Sequence, residues 1–190
     1  YKKLRFIVIS DALKKFLINT YDIDHRRIKV AHDACDGIYT APNSSLFKDY
    51  LVPYYEKYCV HAGSFNKSRG ADEFLALARS YPMIGFIQIG GRLGDIALWK
   101  ADTLDCSNLR FIPQVGSEKL KVFLASADLL FFPMNKNNKN WWCTSPMKIF
   151  DYLESGTPIL GSCIGSTAEI LSDGMFIEYR PEDIEDARLK

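Results

Sequence analysis

The most specific chemistry in this chain lies in the run Ser145-Pro146-Met147-Lys148-Ile149-Phe150-Asp151-Tyr152-Leu153-Glu154-Ser155-Gly156-Thr157-Pro158. Ser145 suits a helix N-cap and Pro146 the first helical position. Lys148 then falls at the third helical position, where a cation opposes the helix dipole. The free N–H groups of such a helix start donate to phosphate or diphosphate, and the anion would pair with the lysine. The other reading sends Lys148 into solvent, or onto Asp151 three residues along the same face. Residue types alone leave both open.

Three further segments carry chemistry. Gly63-Ser64-Phe65-Asn66-Lys67-Ser68-Arg69-Gly70 joins a strand to a helix and holds two glycines, two hydroxyls and two cations. Such a loop can turn backbone N–H groups toward an anion, with Arg69 at the helix mouth. It lacks the Gly-Lys-Ser/Thr ending of a P-loop, and an ordinary polar turn is the alternative. Gly90-Gly91-Arg92-Leu93-Gly94 follows a strand and lets a ligand approach the backbone, but the G-x-G-x-x-G order of a dinucleotide fingerprint is broken. Trp141-Trp142 lies in a polar loop. The pair either packs on the sheet edge, or walls a sugar or base ring, or meets a further domain.

The elements that must position these residues follow from periodicity. Arg5–Ile9 reads as a buried strand, Ser10 as the cap of a helix with Leu13, Phe16 and Leu17, and Ile28–Val30 as a short strand. Residues 33–45 read as a loop and 46–56 as a helix. Strands are predicted at Tyr58–Ala62, Ile84–Ile89, Leu109–Ile112, Leu129–Phe132, Pro158–Gly161 and Met175–Ile177. Helices alternate with them: one after Gly70, one near 95–101, one capped by Ser117, one from Pro146 to Glu154, one with a Ser166/Glu169 capping box and one from Pro181. This alternation predicts an α/β fold, a doubly wound parallel sheet covered on both faces. Ligands of such sheets bind at the carboxyl ends of the strands, which points at loops 63–70, 90–94, 113–116 and 133–146.

Composition narrows the class. The chain has 190 residues, 47% of them apolar, and 24 Lys+Arg against 23 Asp+Glu leave a net charge of +1. Those values exclude bulk disorder and argue against a nucleic-acid partner held by overall charge. No apolar run approaches the roughly 18 residues of a membrane span. Cys35, Cys59, Cys106, Cys143 and Cys163 are odd in number and widely spaced, so a disulfide framework or zinc site is not expected. Reduced thiols in a cytoplasmic setting are. His25, His32 and His61 lack metal-ligand spacing and read as structural. The start, Tyr1-Lys2-Lys3-Leu4-Arg5, has neither a secretory pattern nor an initiator Met and reads as lying inside a longer protein.

The Ser145–Pro158 run resembles the Ser-Pro-x-Lys-x-x-Glu-Tyr-x-x-x-Gly-x-Pro pattern of retaining GT-B glycosyltransferases of the GT4 type. Gly63–Gly70 is similar to the glycine- and lysine-bearing loop of the donor half, with Arg69 for the usual Lys. Phe86–Gly91 and Ala127–Pro133 resemble its second strand with glycine pair and its strand before the donor loop. Phe6–Ser10 and Val30–Asp36 resemble the segment linking the two halves.

The resemblance implies a Rossmann-like donor-binding domain at 58–190, an interdomain connecting segment at 1–57, and an acceptor-binding domain outside this chain. The donor would be a UDP-, GDP- or similar nucleotide sugar, with no cofactor and no metal. Its diphosphate would lie between the Gly63–Gly70 loop and the Ser145–Lys148 helix start. Arg69 and Lys148 would neutralise the leaving group, and Gly63, Ser64, Gly91, Thr144 and Ser145 would complete the cradle. The base would lie near Ile112–Val115 and Asp151 would bind the ribose. Sugar transfer would retain the anomeric configuration, the chain alone would not turn over, and the full-length protein could attach peripherally to a membrane. The sequence departs from the family at Cys143, where the two-acid motif has its first acid, at Asp151 in place of Glu, and at Ser64 where Arg is frequent. A non-catalytic GT-B-like module that binds a partner is the alternative.

Overall fold

The structure, a computed structural model, describes residues 4–37, 40–43, 45–50, 54–172 and 174–190. The first expected strand forms as β1 (Phe6–Val8), but it is buried only in part: Val8 is buried while Ile7 is 77% exposed. β1 pairs in parallel with β2 (Ile28–Val30), Phe6 opposite Ile28 and Val8 opposite Val30, in a sheet separate from the main one. An apolar run signals a strand without saying what covers it. Between them runs α1 (Asp11–Tyr21). The Ser10 hydroxyl caps it, accepting from the Leu13 N–H at 3.1 Å, and no α1 residue is buried. The helix expected over 46–56 is a 3-10 turn at Leu46–Asp49. Residues 51–53 lie outside the described residues, as do 1–3 and positions 38, 39 and 44 of the expected loop.

The main sheet contains β3 (Tyr58–Ala62), β4 (Gly85–Ile89), β5 (Leu109–Ile112), β6 (Leu129–Phe132), β7 (Ile159–Gly161) and β8 (Ile177–Glu178). Its order is β5-β4-β3-β6-β7-β8, and every pairing is parallel. This is the doubly wound order, with the reversal between β3 and β6. Alternation along β3 feeds two cores. Tyr58, Val60 and Ala62 pack with Phe123 and Leu124 of α4 (Ser117–Ser126) and with Ile149 and Tyr152 of α5 (Met147–Ser155). Cys59 packs on the other face with Phe74 and Leu77 of α2 (Ala71–Ser80), Ile96 of α3 (Leu93–Asp102) and Ala187 of α6 (Ile184–Arg188). Each large side chain so buried contributes about 1.5–3 kcal/mol.

Several helix starts differ from expectation by a residue or more. Gly116 is the N-cap of α4, not Ser117, and α6 begins three residues after Pro181. Ser166 and Glu169 form no capping box. Thr167 receives the Ile164 N–H at 3.1 Å in the 3-10 turn Gly165–Glu169. Glu169 caps α1 instead, accepting from the N–H groups of Asp11 at 2.6 Å and Ala12 at 2.9 Å. Two free donors at a helix start are thus satisfied by a carboxylate from the far end of the chain.

Candidate functional site

The loops after β3 and β4 are held side by side by bonds that extend the sheet. Gly63 N–H donates to the Ile89 carbonyl at 2.8 Å and Gly90 N–H to that of Ile112 at 2.9 Å. Gly90 has φ of 88°, and a Cβ there would lie 3.4 Å from the Gly63 oxygen, so a side chain would crowd the loop. The result is exposed backbone around a cavity of about 270 Å³ lined by Gly63, Ser64, Gly91, Val115 and Leu120, among others. Gly70, with φ of 76°, brings α2 against the chain leaving β6: a Cβ on it would fall 2.2 Å from Pro133 Cβ. The switch point is thereby drawn tight.

α5 reaches the same place from the opposite core. The Tyr152 hydroxyl accepts from the Ala62 N–H at 2.8 Å and donates to the Phe131 carbonyl at 3.4 Å, pinning α5 between β3 and β6. Its first residue is Met147 and its N-cap is Pro146, so Lys148 is second in the helix, one position earlier than expected. Lys148 neither enters open solvent nor pairs with Asp151. Its ammonium lies 3.0 Å from His61 Nε2 and 5.2 Å from the centre of the Phe132 ring. Burial, and then the nearby charge of Arg69, lower its pKa to about 7. Arg69 itself is exposed, and neither cation has an ion-pair partner among the described residues. A partly buried cation that a second cation repels, with no carboxylate paired to it among the described residues, can take an anion as counter-charge.

The other expected residues divide. Gly63, Ser64, Gly91 and Val115 line the cavity. Ser145 is not the N-cap, yet its hydroxyl is buried without a hydrogen-bond partner beside the α5 start. Thr144 offers its carbonyl to the Ser166 hydroxyl. The Ile112 side chain is in the core, 4% exposed, and only its backbone takes part in the glycine turn. Asp151 lies in a small recess with Thr40, Lys121 and Glu154. Burial, followed by Glu154, raises its pKa. Trp142 packs on Phe16 of α1, centroids 5.1 Å apart, while Trp141 packs against the core of the main sheet, so the two part company.

Two residues of the site had no signal in the sequence. His61 is fully buried within β3, and Gln88 lies directly opposite it on β4. The His61 Nδ1–Gln88 Oε1 distance is 2.5 Å. His32, read as structural, gathers with Asp11 and Glu169, their ligand-capable atoms within 4.8 Å of one another; the Glu169 carboxylate there serves as the α1 cap. A second cavity, about 300 Å³, opens at the amino ends of the strands among Tyr58, Leu77, Tyr81, Phe86 and Leu129. It is apolar and far from the two unpaired cations, so it is not the candidate site.

An α/β sheet in this order, with glycine turns and unpaired cations at its switch point, has the fold of the Rossmann-like half of GT-B glycosyltransferases. Solved structures agree. The HepE protein of Anabaena in complex with UDP and glucose superimposes with a TM-score of 0.75 at 17% identity, over 96% of this chain and 51% of that one. A glycosyltransferase from Rickettsia africae gives 0.76 at 14% identity, over 99% and 52%. Sucrose-phosphate synthase from Thermosynechococcus elongatus gives 0.75 at 15% identity, over 96% and 47%. The chain therefore spans about half the length of these structures. No protein-family profile and no curated protein matches it.

Proposed function

We propose that this chain is the donor-binding half of a retaining glycosyltransferase of the GT4 type, with residues 58–190 holding a nucleotide sugar and 1–57 connecting to an acceptor-binding domain. One observation carries the reading: Lys148 and Arg69 share the switch point, beside an exposed glycine backbone, and neither has an ion-pair partner among the described residues. A diphosphate spanning Gly63–Gly70 and the α5 start would receive backbone N–H groups, the orphan Ser145 hydroxyl and both cations. When the sugar leaves, negative charge grows on that diphosphate, and the same cations stabilise it most in the transition state. The base would occupy the cavity beside Val115. Acceptor groups come from the companion domain, so the chain alone does not turn over. No metal is given a part, and a cytoplasmic site of action fits the reduced thiols.

Cys143 in an acid's position and Asp151 set in a separate recess favour a second reading, a non-catalytic module that keeps the fold for a partner. Calorimetric titration with uridine and guanosine diphosphates separates the two. The donor reading expects binding of at least one, weakened about tenfold or more in Lys148→Met, which is roughly 1.4 kcal/mol. Heat-silent titrations with both at millimolar concentration would leave the module reading standing.

A further inference from the structure

His61 and Gln88 are each fully buried in a layer otherwise built of Phe65, Phe74, Phe86 and Phe131. Two polar side chains there are costly unless every group is paired. The pairing leaves one proton arrangement. One end of the Gln88 amide faces the carbonyl oxygens of Gly63 at 2.8 Å, Ile89 at 3.1 Å and Gly90 at 3.3 Å, so that end is the NH2. The amide oxygen then faces His61 Nδ1, which must carry the hydrogen. A neutral ring with its proton on Nδ1 has a bare Nε2, and the donor it meets is the Lys148 ammonium at 3.0 Å. The chain of bonds runs from the glycine turns through Gln88 and His61 to Lys148.

We infer that His61 is the positioning residue of this site: fixed by Gln88, it accepts from Lys148 through Nε2 and holds the ammonium at the mouth of the Gly63–Gly70 loop. The inference deepens the donor reading and rests on it for its ligand. Charged and titratable groups facing Lys148 are His61 from β3 and Arg69 from the loop; Phe132 faces it from β6, and Asp151 is the neighbour one turn along its own helix. Burial, then Lys148 and Arg69, push the imidazole well below its ordinary pKa, which keeps Nε2 free to accept. Held in place, Lys148 is half deprotonated near neutrality, and a bound anion restores its proton. Affinity for a diphosphate therefore rises as pH falls from about 9 to about 7, a window in which the ligand's terminal phosphate, with a second pKa of about 6, is already ionised.

The test uses nitrogen-15 NMR of the ligand-free chain together with uridine diphosphate titrations. Expected are an Nδ1–H, Nε2-bare His61 ring that stays neutral at and above the ordinary imidazole pKa of about 6.5, and a Lys148 amine that titrates at about 7. Affinity should fall about tenfold or more from pH 7 to 9 in the wild type. In His61→Phe it should be weaker at pH 7, because the ammonium loses the acceptor that fixes it and favours its charged form; His61→Gln, whose amide oxygen can accept, should restore affinity in part. A titrating His61, an Nε2–H ring or an unaltered affinity in His61→Phe overturns the inference. A wild type that binds no uridine diphosphate overturns the donor reading instead, and the ring's tautomer and the lysine's titration, both read without ligand or variant, still decide the role of His61.

Discussion

Lys148 is the side chain on which most of the site's physics converges. Burial and Arg69 both disfavour its charge, against the favourable face of the Phe132 ring. Its folded-state pKa of about 7 lies below the ordinary value of about 10.4. Between these pH values the unfolded chain holds a proton that the folded chain does not, so this group's contribution to stability improves as pH rises through the window and is worst below about 7. Lys148→Met is thus expected to stabilise the ligand-free chain at pH 6 by about 1–3 kcal/mol and by much less at about pH 9.5, measured by urea unfolding at the two pH values. A Met variant that is less stable at pH 6 would contradict an enclosed cation. Gly70 is a second residue with a definite requirement. Its φ of 76° and the 2.2 Å approach of a Cβ to Pro133 mean that Gly70→Ala should lose about 2–4 kcal/mol and open the switch point. A stability within about 0.5 kcal/mol of wild type would show that the loop absorbs the methyl.

The elements show where sequence and tertiary context part. Glu169 sits three residues after Ser166, a spacing that suits a local capping box, but its carboxylate spans to α1. Glu169→Ala should therefore melt α1 first, at a cost of about 1 kcal/mol, seen as faster amide exchange at residues 11–14 with residues 165–171 little changed. Faster exchange confined to 165–171 would favour the local cap. The alternation of strands and helices was legible because it rests on local periodicity, and six strands over the second part of the chain follow from it. The covering of β1 was not legible: Phe6–Val8 is as apolar as a core strand, and only its partner, β2, decides its exposure. For the site, Lys148 and the Gly63–Gly70 loop stood out because a cation at a helix start and glycines after a strand contradict local preference. His61 and Gln88 did not, since the register of β3 against β4 creates their pairing and no spacing encodes it. Asp151 lies in a recess beside Lys121 of α4, a neighbour that helical spacing alone does not reveal.

At the scale of the molecule, the elements before residue 50 and the larger sheet are joined by specific contacts. Glu169 on the α1 start, Phe16 on Trp142, Phe47 on Phe123, and Lys121 between Asp36 and Glu154 tie them together. The doubly wound order concentrates the ends of β3 and β6, the glycine turns and the start of α5 into one crevice. The apolar cavity at the opposite end of the sheet has no such convergence. On the proposed donor reading, a nucleoside diphosphate is expected in the first of these and not the second. Amide hydrogen exchange with and without millimolar uridine diphosphate measures this directly. Slowed exchange is expected at residues 63–70 and 144–151, with no change around Tyr58, Tyr81 and Arg188. Unchanged exchange at both of those segments, or protection confined to the opposite cavity, would contradict it.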